Sequence, residues 1–359
     1  MGATSQQPRT ATSGLYTLLV FTALLLVLIV VVLSAYLRLA GSGLGCAGWP
    51  SCYALIRTTE TGTEALAAAH LVPPWATLTH RLVASLLGVL VLGITLMAWR
   101  RRREPGHSLP LALAVLALTL LLSVLGYKTP SPLWPWVTLG NLLGGMAMLA
   151  LLWWLGQRSI LINRVSEPTP PLPSRERDGV RGRERLIEAD PEETSIHALR
   201  PWALAGIFIV FFQIALGGWV SANFAALACA DVFGCGGYPW HEGPWRESFN
   251  LLRVLPVTDG GAVITGDAGK VIHLVHRFGA LLASLYTGWL GWRAIGLGNP
   301  YRGTGMTMLV LLALQILLGF FTVTFGLPLS VVTTHNAVAA LLLLSVVNLY
   351  HLLTPFKKY

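Results

Sequence analysis

Four histidines stand inside, or at the edge of, apolar stretches, where an imidazole is costly unless it meets a partner or a ligand. His335 lies in Thr333-Thr334-His335-Asn336 and is followed by apolar residues from Ala337 to Val347. His273 and His276 open an earlier apolar stretch in Ile272-His273-Leu274-Val275-His276-Arg277, and His80 does the same in Thr79-His80-Arg81-Leu82. The place that corresponds to His335 in the first part of the chain falls in Leu139-Gly140-Asn141-Leu142-Leu143-Gly144-Gly145 and is taken by Asn141. Two neutral imidazoles projecting inward from facing helices at similar depth, His276 and His335, are the donor set of a low-spin heme iron. The competing reading is two unrelated hydrogen-bonded histidines, and the repeat that also places His80 favours heme.

The neighbours of these histidines carry two readings each. His273 is three residues before His276 and on the same helix side, either beside the cofactor as a proton carrier or reaching water at the interface. Arg81 and Arg277 directly follow the candidate ligands, where a guanidinium pairs bidentately with a heme propionate or simply snorkels. His80 opposite Asn141 describes a heme with one open side and an amide to donate a hydrogen bond there. The alternative is a half without cofactor, in which Asn141 bonds a neighbouring helix. The cysteines fall in two equally spaced pairs, Cys46 with Cys52 and Cys229 with Cys235. Each pair suits an intraloop disulfide outside the cytoplasm or a redox-active dithiol, and neither has a histidine at metal-site spacing.

Such residues need helices across a bilayer to hold them. The 359 residues are 54% hydrophobic and 11% charged, with mean hydropathy +0.64. A soluble domain carries about 25% charged residues, so the composition describes an integral membrane protein. The formal charge of +9 follows from arginines flanking spans and calls for lipid, with no nucleic acid as partner. Apolar runs of about 20 residues predict eight spans, at Leu15–Leu37, Ala76–Trp99, Leu109–Gly126, Trp136–Leu155, Trp202–Ser221, Lys270–Ala294, Gly305–Phe325 and Leu329–Leu353. The first run is too long for a signal peptide and is expected to be retained. Arg100-Arg101-Arg102-Arg103, Lys357 and Lys358 place both termini in the cytoplasm and both cysteine loops outside. Residues 157–200 hold eight basic and eight acidic residues with several prolines, the composition of a cytoplasmic linker.

The chain repeats itself around that linker. Cys46 through Cys52 parallels Cys229 through Cys235, His80-Arg81 parallels His276-Arg277, Leu125-Gly126 parallels Leu318-Gly319, and Asn141 parallels His335. All four landmarks keep one order and nearly one interval. An even number of spans per half gives both halves the same orientation, related by a pseudo-two-fold axis along the membrane normal. The expected fold class is therefore an all-α integral membrane protein of eight transmembrane helices in two tandem four-helix bundles. Its expected parts are residues 1–156, a linker at 157–200, and residues 201–359.

At Gly41-Ser42-Gly43-Leu44 through Cys52, Thr79-His80-Arg81, Leu133-Trp134-Pro135, Leu142-Leu143-Gly144-Gly145, Ala226-Leu227-Ala228-Cys229 through Cys235, Ile272 through Arg277 and His335-Asn336, the sequence resembles the heme A synthase family (CtaA-type). The likeness covers nearly all of the chain outside the linker and Met1 to Gly14. It implies heme b between His276 and His335 in the C-terminal bundle. It also implies heme O as substrate in the N-terminal bundle, where a ring methyl is oxidised to a formyl group. The implied setting is a bacterial-type inner membrane, with heme O synthase and cytochrome oxidase assembly proteins as partners and homo-oligomers open. Two departures fall in the N-terminal bundle. The family usually has histidine at Asn141, and a glutamate three residues before the first histidine, where this chain has Thr77; Glu60 and Glu64 are the acids nearest in sequence. His80, Asn141 and Thr77 are thus the expected catalytic set. The alternatives in other classes are a non-catalytic heme-binding or transfer protein and a b-type cytochrome.

Overall fold

The computed structural model describes residues 10–42, 53–54, 56–59, 62–65, 72–104, 106–127, 133–165, 191–229, 231, 235–259 and 262–354. Long helices dominate: α1 (Thr10–Gly41), α2 (Pro74–Arg100), α3 (Leu109–Tyr127), α4 (Pro135–Val165), α5 (Pro191–Ala222), α7 (Gly266–Gly296), α8 (Tyr301–Thr324) and α9 (Leu329–Leu352), with a short α6 (Trp245–Ser248) and three 3-10 turns between α5 and α7. Proline begins α2 at its first position, where the missing N–H costs nothing. Inside the helices, Thr95, Thr119, Thr322 and Thr333 donate to carbonyls one turn back, which satisfies hydroxyls that have no water to meet.

Seven of these helices are long and apolar enough to cross a membrane. The exception is α7. It is 31 residues long, but Asp267, Lys270, His273, His276 and Arg277 crowd its first half. The expectation of a purely helical chain needs one amendment. A small antiparallel hairpin, β1 (Ile56–Thr59) with β2 (Gly62–Ala65), stands in the first outer loop and pairs Arg57 with Glu64. β-Branched residues set between turn formers account for it. At the borders of the expected linker, α4 continues to Val165 and α5 begins at Pro191. A helix whose hydrogen bonds are all internal can run on past the bilayer into polar sequence. Residues 166–190 lie outside the described residues.

Helix neighbours follow a regular scheme. In the first half α1 packs on α2 and α4, and α3 on α2 and α4; in the second, α5 packs on α7 and α9, and α8 on α7 and α9. The helices bearing His80 and Asn141 are therefore diagonal, as are those bearing His276 and His335. Across the halves α1 meets α9, α4 meets α5, and α4 meets α9. With lipid tails as apolar as leucine, close van der Waals packing holds such helices together. Glycine supplies it where helices cross. A Cβ at Gly305 would come within 2.5 Å of the Gly291 carbonyl, and one at Gly218 on α5 within 2.5 Å of Leu142 on α4. One continuous core runs through both halves, from Tyr16, Val31 and Met146 to Leu290, Leu343 and Leu349.

The loops at the C-terminal ends of α1, α3 and α5 pack together. Leu255 donates its N–H to Leu133, Val263 to Ala54, and Trp219 its indole N–H to Ser248. Ala54, Leu133, Phe224 and Leu255 bury one another beneath these bonds, so loops from both halves share a small core.

Candidate functional site

His276 projects from α7 against α5. Its Nδ1 lies 2.9 Å from Nε2 of Gln213, which also donates to the carbonyl of His276 at 3.0 Å. Gly217, one turn after Gln213, lets the ring lie close to the helix: a Cβ there would stand 3.0 Å from Cε1 and 3.6 Å from either ring nitrogen. His335 repeats the arrangement from α9 against α8. Its Nε2 is 3.0 Å from Nε2 of Gln315, and a Cβ at Gly319 would stand 3.2 Å from its Cε1. His335 Nδ1 and the Oε1 atoms of Gln213 and Gln315 are buried without a partner. Two imidazoles on diagonal helices, each with glycine beside the ring and with buried polar atoms left over, fit a heme iron between them.

The loop between α5 and α7 is fastened over the first half of α7. Cys229 and Cys235 form a disulfide with Cα atoms 4.5 Å apart, which packs on Leu274, two residues before His276. Asp231 accepts N–H bonds from Cys235 and Gly236 at 2.5 and 2.8 Å. The loop turns where Gly236 and Gly237 take left-handed φ values of 67° and 73°, a conformation that favours glycine. Arg277 reaches back to the loop that carries the disulfide. Its Nη1 donates to the Asp231 carbonyl at 2.6 Å and its Nη2 to the Cys229 carbonyl at 2.9 Å, with the Asp231 carboxylate 4.0 Å away. The guanidinium clamps the disulfide loop to the helix one residue after the candidate ligand. His273 is 5% exposed; it reaches the backbone of Ala225 and leaves Nδ1 unpartnered.

The first half is plainer. Thr77 and His80 share a face of α2 and Asn141 lies on diagonal α4, all three half-buried. None of them makes a hydrogen bond to a described residue, and Arg81 is exposed. Cys46, Cys52 and Glu60 lie outside the described residues, and Glu64 sits on β2 in the hairpin. Arg38, at the outer end of α1, donates to Ser221 of α5 at 2.6 Å and ties the two halves together. Near it burial pushes the Tyr53 hydroxyl well above its ordinary range.

Gln213, Gln315, Gly217, Asp231 and Arg38 were not among the residues the sequence singles out. A signal did exist: Gln213 and Gln315 each stand four residues before the glycine that faces a histidine, and each interrupts an apolar run.

Known proteins resemble the chain over almost its full length. The COX15-CtaA family, described as cytochrome oxidase assembly protein, matches residues 17–347. A heme A synthase of Shewanella oneidensis is 31% identical over 350 residues, covering 93% of this chain and 94% of that protein.

Proposed function

The chain belongs to the COX15-CtaA family of cytochrome oxidase assembly proteins, and on that premise we propose that it is a membrane oxidoreductase that converts heme O to heme A for cytochrome oxidase. The observation that carries the reading is the pair His276 and His335, on diagonal helices, each with a glycine and a glutamine amide beside its ring.

In this reading eight helices, α7 included, cross the membrane as two four-helix bundles related by a pseudo-two-fold axis. Matching neighbour pairs in the two halves support that symmetry, as do the equivalent contacts of α1 with α9 and α5 with α4. The parts are residues 1–156 and 201–359, joined through 157–200, with both termini and the arginine run Arg100–Arg103 on the cytoplasmic side. The cysteine loops then face outside, where the Cys229–Cys235 disulfide persists. Partners by pathway are heme O synthase and oxidase assembly proteins.

His276 and His335 would hold a heme b, which supplies one-electron chemistry when bound. The chain's own contribution is to position it. Gln213 orients His276, Gln315 meets His335, and the loop clamped by Arg277 covers the outer end and keeps water away. The substrate, heme O, belongs between α2 and α4, with His80 as its ligand. Thr77 lies on the same helix face, and the Asn141 amide is on the opposite helix to donate a hydrogen bond. Turning a methyl group into a formyl group removes four electrons and four protons and adds one oxygen atom at the level of water (R–CH3 + H2O → R–CHO + 4 H+ + 4 e−), so an external electron acceptor is required; the C-terminal half, packed on the N-terminal one, would hold a heme b that supplies one-electron chemistry beside the substrate.

Co-expression with a heme O synthase, followed by pigment extraction, tests the reading. The expected pigments are heme A together with heme b. Folded protein that carries heme b while heme O accumulates unchanged overturns the synthase assignment.

A further inference from the structure

The two histidines are held unequally. Gln213 touches His276 at two points, the ring Nδ1 and the backbone carbonyl, and Gly217 lies under the ring. The ring is locked, and its Nε2 makes no hydrogen bond to a described residue. Gln315 meets His335 with its side-chain amide at Nε2 itself and also through its backbone, while Nδ1 has no hydrogen-bond partner. A metal on His335 Nε2 has to displace the Gln315 amide; a metal on His276 Nε2 displaces nothing.

The helices behind the two glutamines differ in the same sense. α5 packs against α4, α7 and α9, and 44% of its apolar window is buried. α8 packs against α7 and α9, and 6% of its window is buried. α5 is thus held from three sides and α8 from two. Counted by the repeat intervals, the first half has Val30 and Leu122 where the second has Gln213 and Gln315, so this amide pair belongs to the C-terminal half.

We infer that Gln213 is the positioning residue that makes His276 the permanent ligand of the heme, and that Gln315 makes His335 the exchangeable one. The inference rests on the heme reading above. Its physical content is a competition: when His335 leaves the iron, Gln315 takes its Nε2 and stabilises the detached state. His276 has no such competitor.

The test uses the full-length protein purified with heme b. His335→Ala is expected to keep its heme in a high-spin state that binds carbon monoxide once reduced. His276→Ala is expected to lose it, and free imidazole is expected to restore low-spin heme to His276→Gly, which a misfolded chain does not permit. Gln213→Leu should lose heme to an apoprotein acceptor about 10–100-fold faster, the usual cost of losing a group that orients a metal ligand. Gln315→Leu should keep its heme and bind carbon monoxide more weakly than the wild type, because detached His335 no longer has a competitor. General damage to the site would raise carbon monoxide binding instead. Equal heme retention by the two alanine variants, loss from His335→Ala alone, or stronger carbon monoxide binding by Gln315→Leu overturns the inference. A wild-type chain with no low-spin heme overturns the heme reading itself.

Discussion

Gly217→Ala puts one methyl group where His276 rests. The new Cβ would stand 3.0 Å from Cε1 of the imidazole, and 3.6 Å from both nitrogens. Carbon atoms in contact sit at roughly 3.5–4.0 Å, so the ring edge must retreat by about half an ångström. That is the tolerance within which a binding group keeps its geometry, about 0.5 Å. Retreat is resisted by the two Gln213 contacts. Overpacking of this kind costs about 1–3 kcal/mol, and replacing a mid-helix glycine by alanine returns about 0.5–1 kcal/mol. The net is about 0–2.5 kcal/mol, or up to about 60-fold in heme affinity. Gly319→Ala, with its Cβ 3.2 Å from Cε1 of His335, should act in the same direction and more weakly. Gly88→Ala is the control, since a Cβ there meets nothing within 4 Å. Heme per polypeptide, measured as the pyridine hemochrome, and the g-values of the ferric heme report both occupancy and ring orientation. If Gly217→Ala matches Gly88→Ala in both, His276 does not lie against Gly217 and the site geometry is wrong.

Three further outcomes are expected. Cys229→Ser should cost about 2 kcal/mol of loop stability and reduce heme retention, and mass spectrometry without reductant should find Cys229 bridged to Cys235; free thiols at both positions would refute the bridge. His107 is 8% exposed in the loop between α2 and α3, 3.9 Å from Glu104, and burial holds its pKa below the ordinary value against the pull of that carboxylate. The unfolded chain then binds the proton first. The melting temperature should fall as pH drops below about 6.5 and level off once the folded state is also protonated, and His107→Phe should flatten that part of the profile; an unchanged profile sinks the account. Asn141→His should convert a high-spin N-terminal heme O site to low-spin and suppress its carbon monoxide adduct, and a site that shows neither state was not holding heme through His80.

Much of this was legible in the chain because intramembrane polarity is rare. His276 and His335 stood out against apolar surroundings, and the cysteine spacing pointed to the loop pair that is bridged in the second half. The glutamines did not stand out, because one amide in an apolar run does not say which side chain it meets; that depends on helix rotation. Arg277 was legible as a cation beside a ligand and not as a clamp, since its partners are backbone carbonyls, which no sequence pattern marks. The hairpin Ile56–Ala65 was missed because eight strand residues in a polar loop carry too weak a periodicity. The ends of α4 and α5 were misjudged because bilayer thickness limits the apolar stretch and not the helix.

The core that runs unbroken from Tyr16 to Leu349 has a consequence for how such a chain can change. Each half leans on the other through α1 with α9, α4 with α5 and α4 with α9, so the stability of a helix is not set by the ligand it carries. α4 is gripped by α1, α3, α5 and α9 whether residue 141 is histidine or asparagine. One half can therefore serve as chassis for the other, and a substitution at position 141 is expected to leave a protein that still inserts and folds.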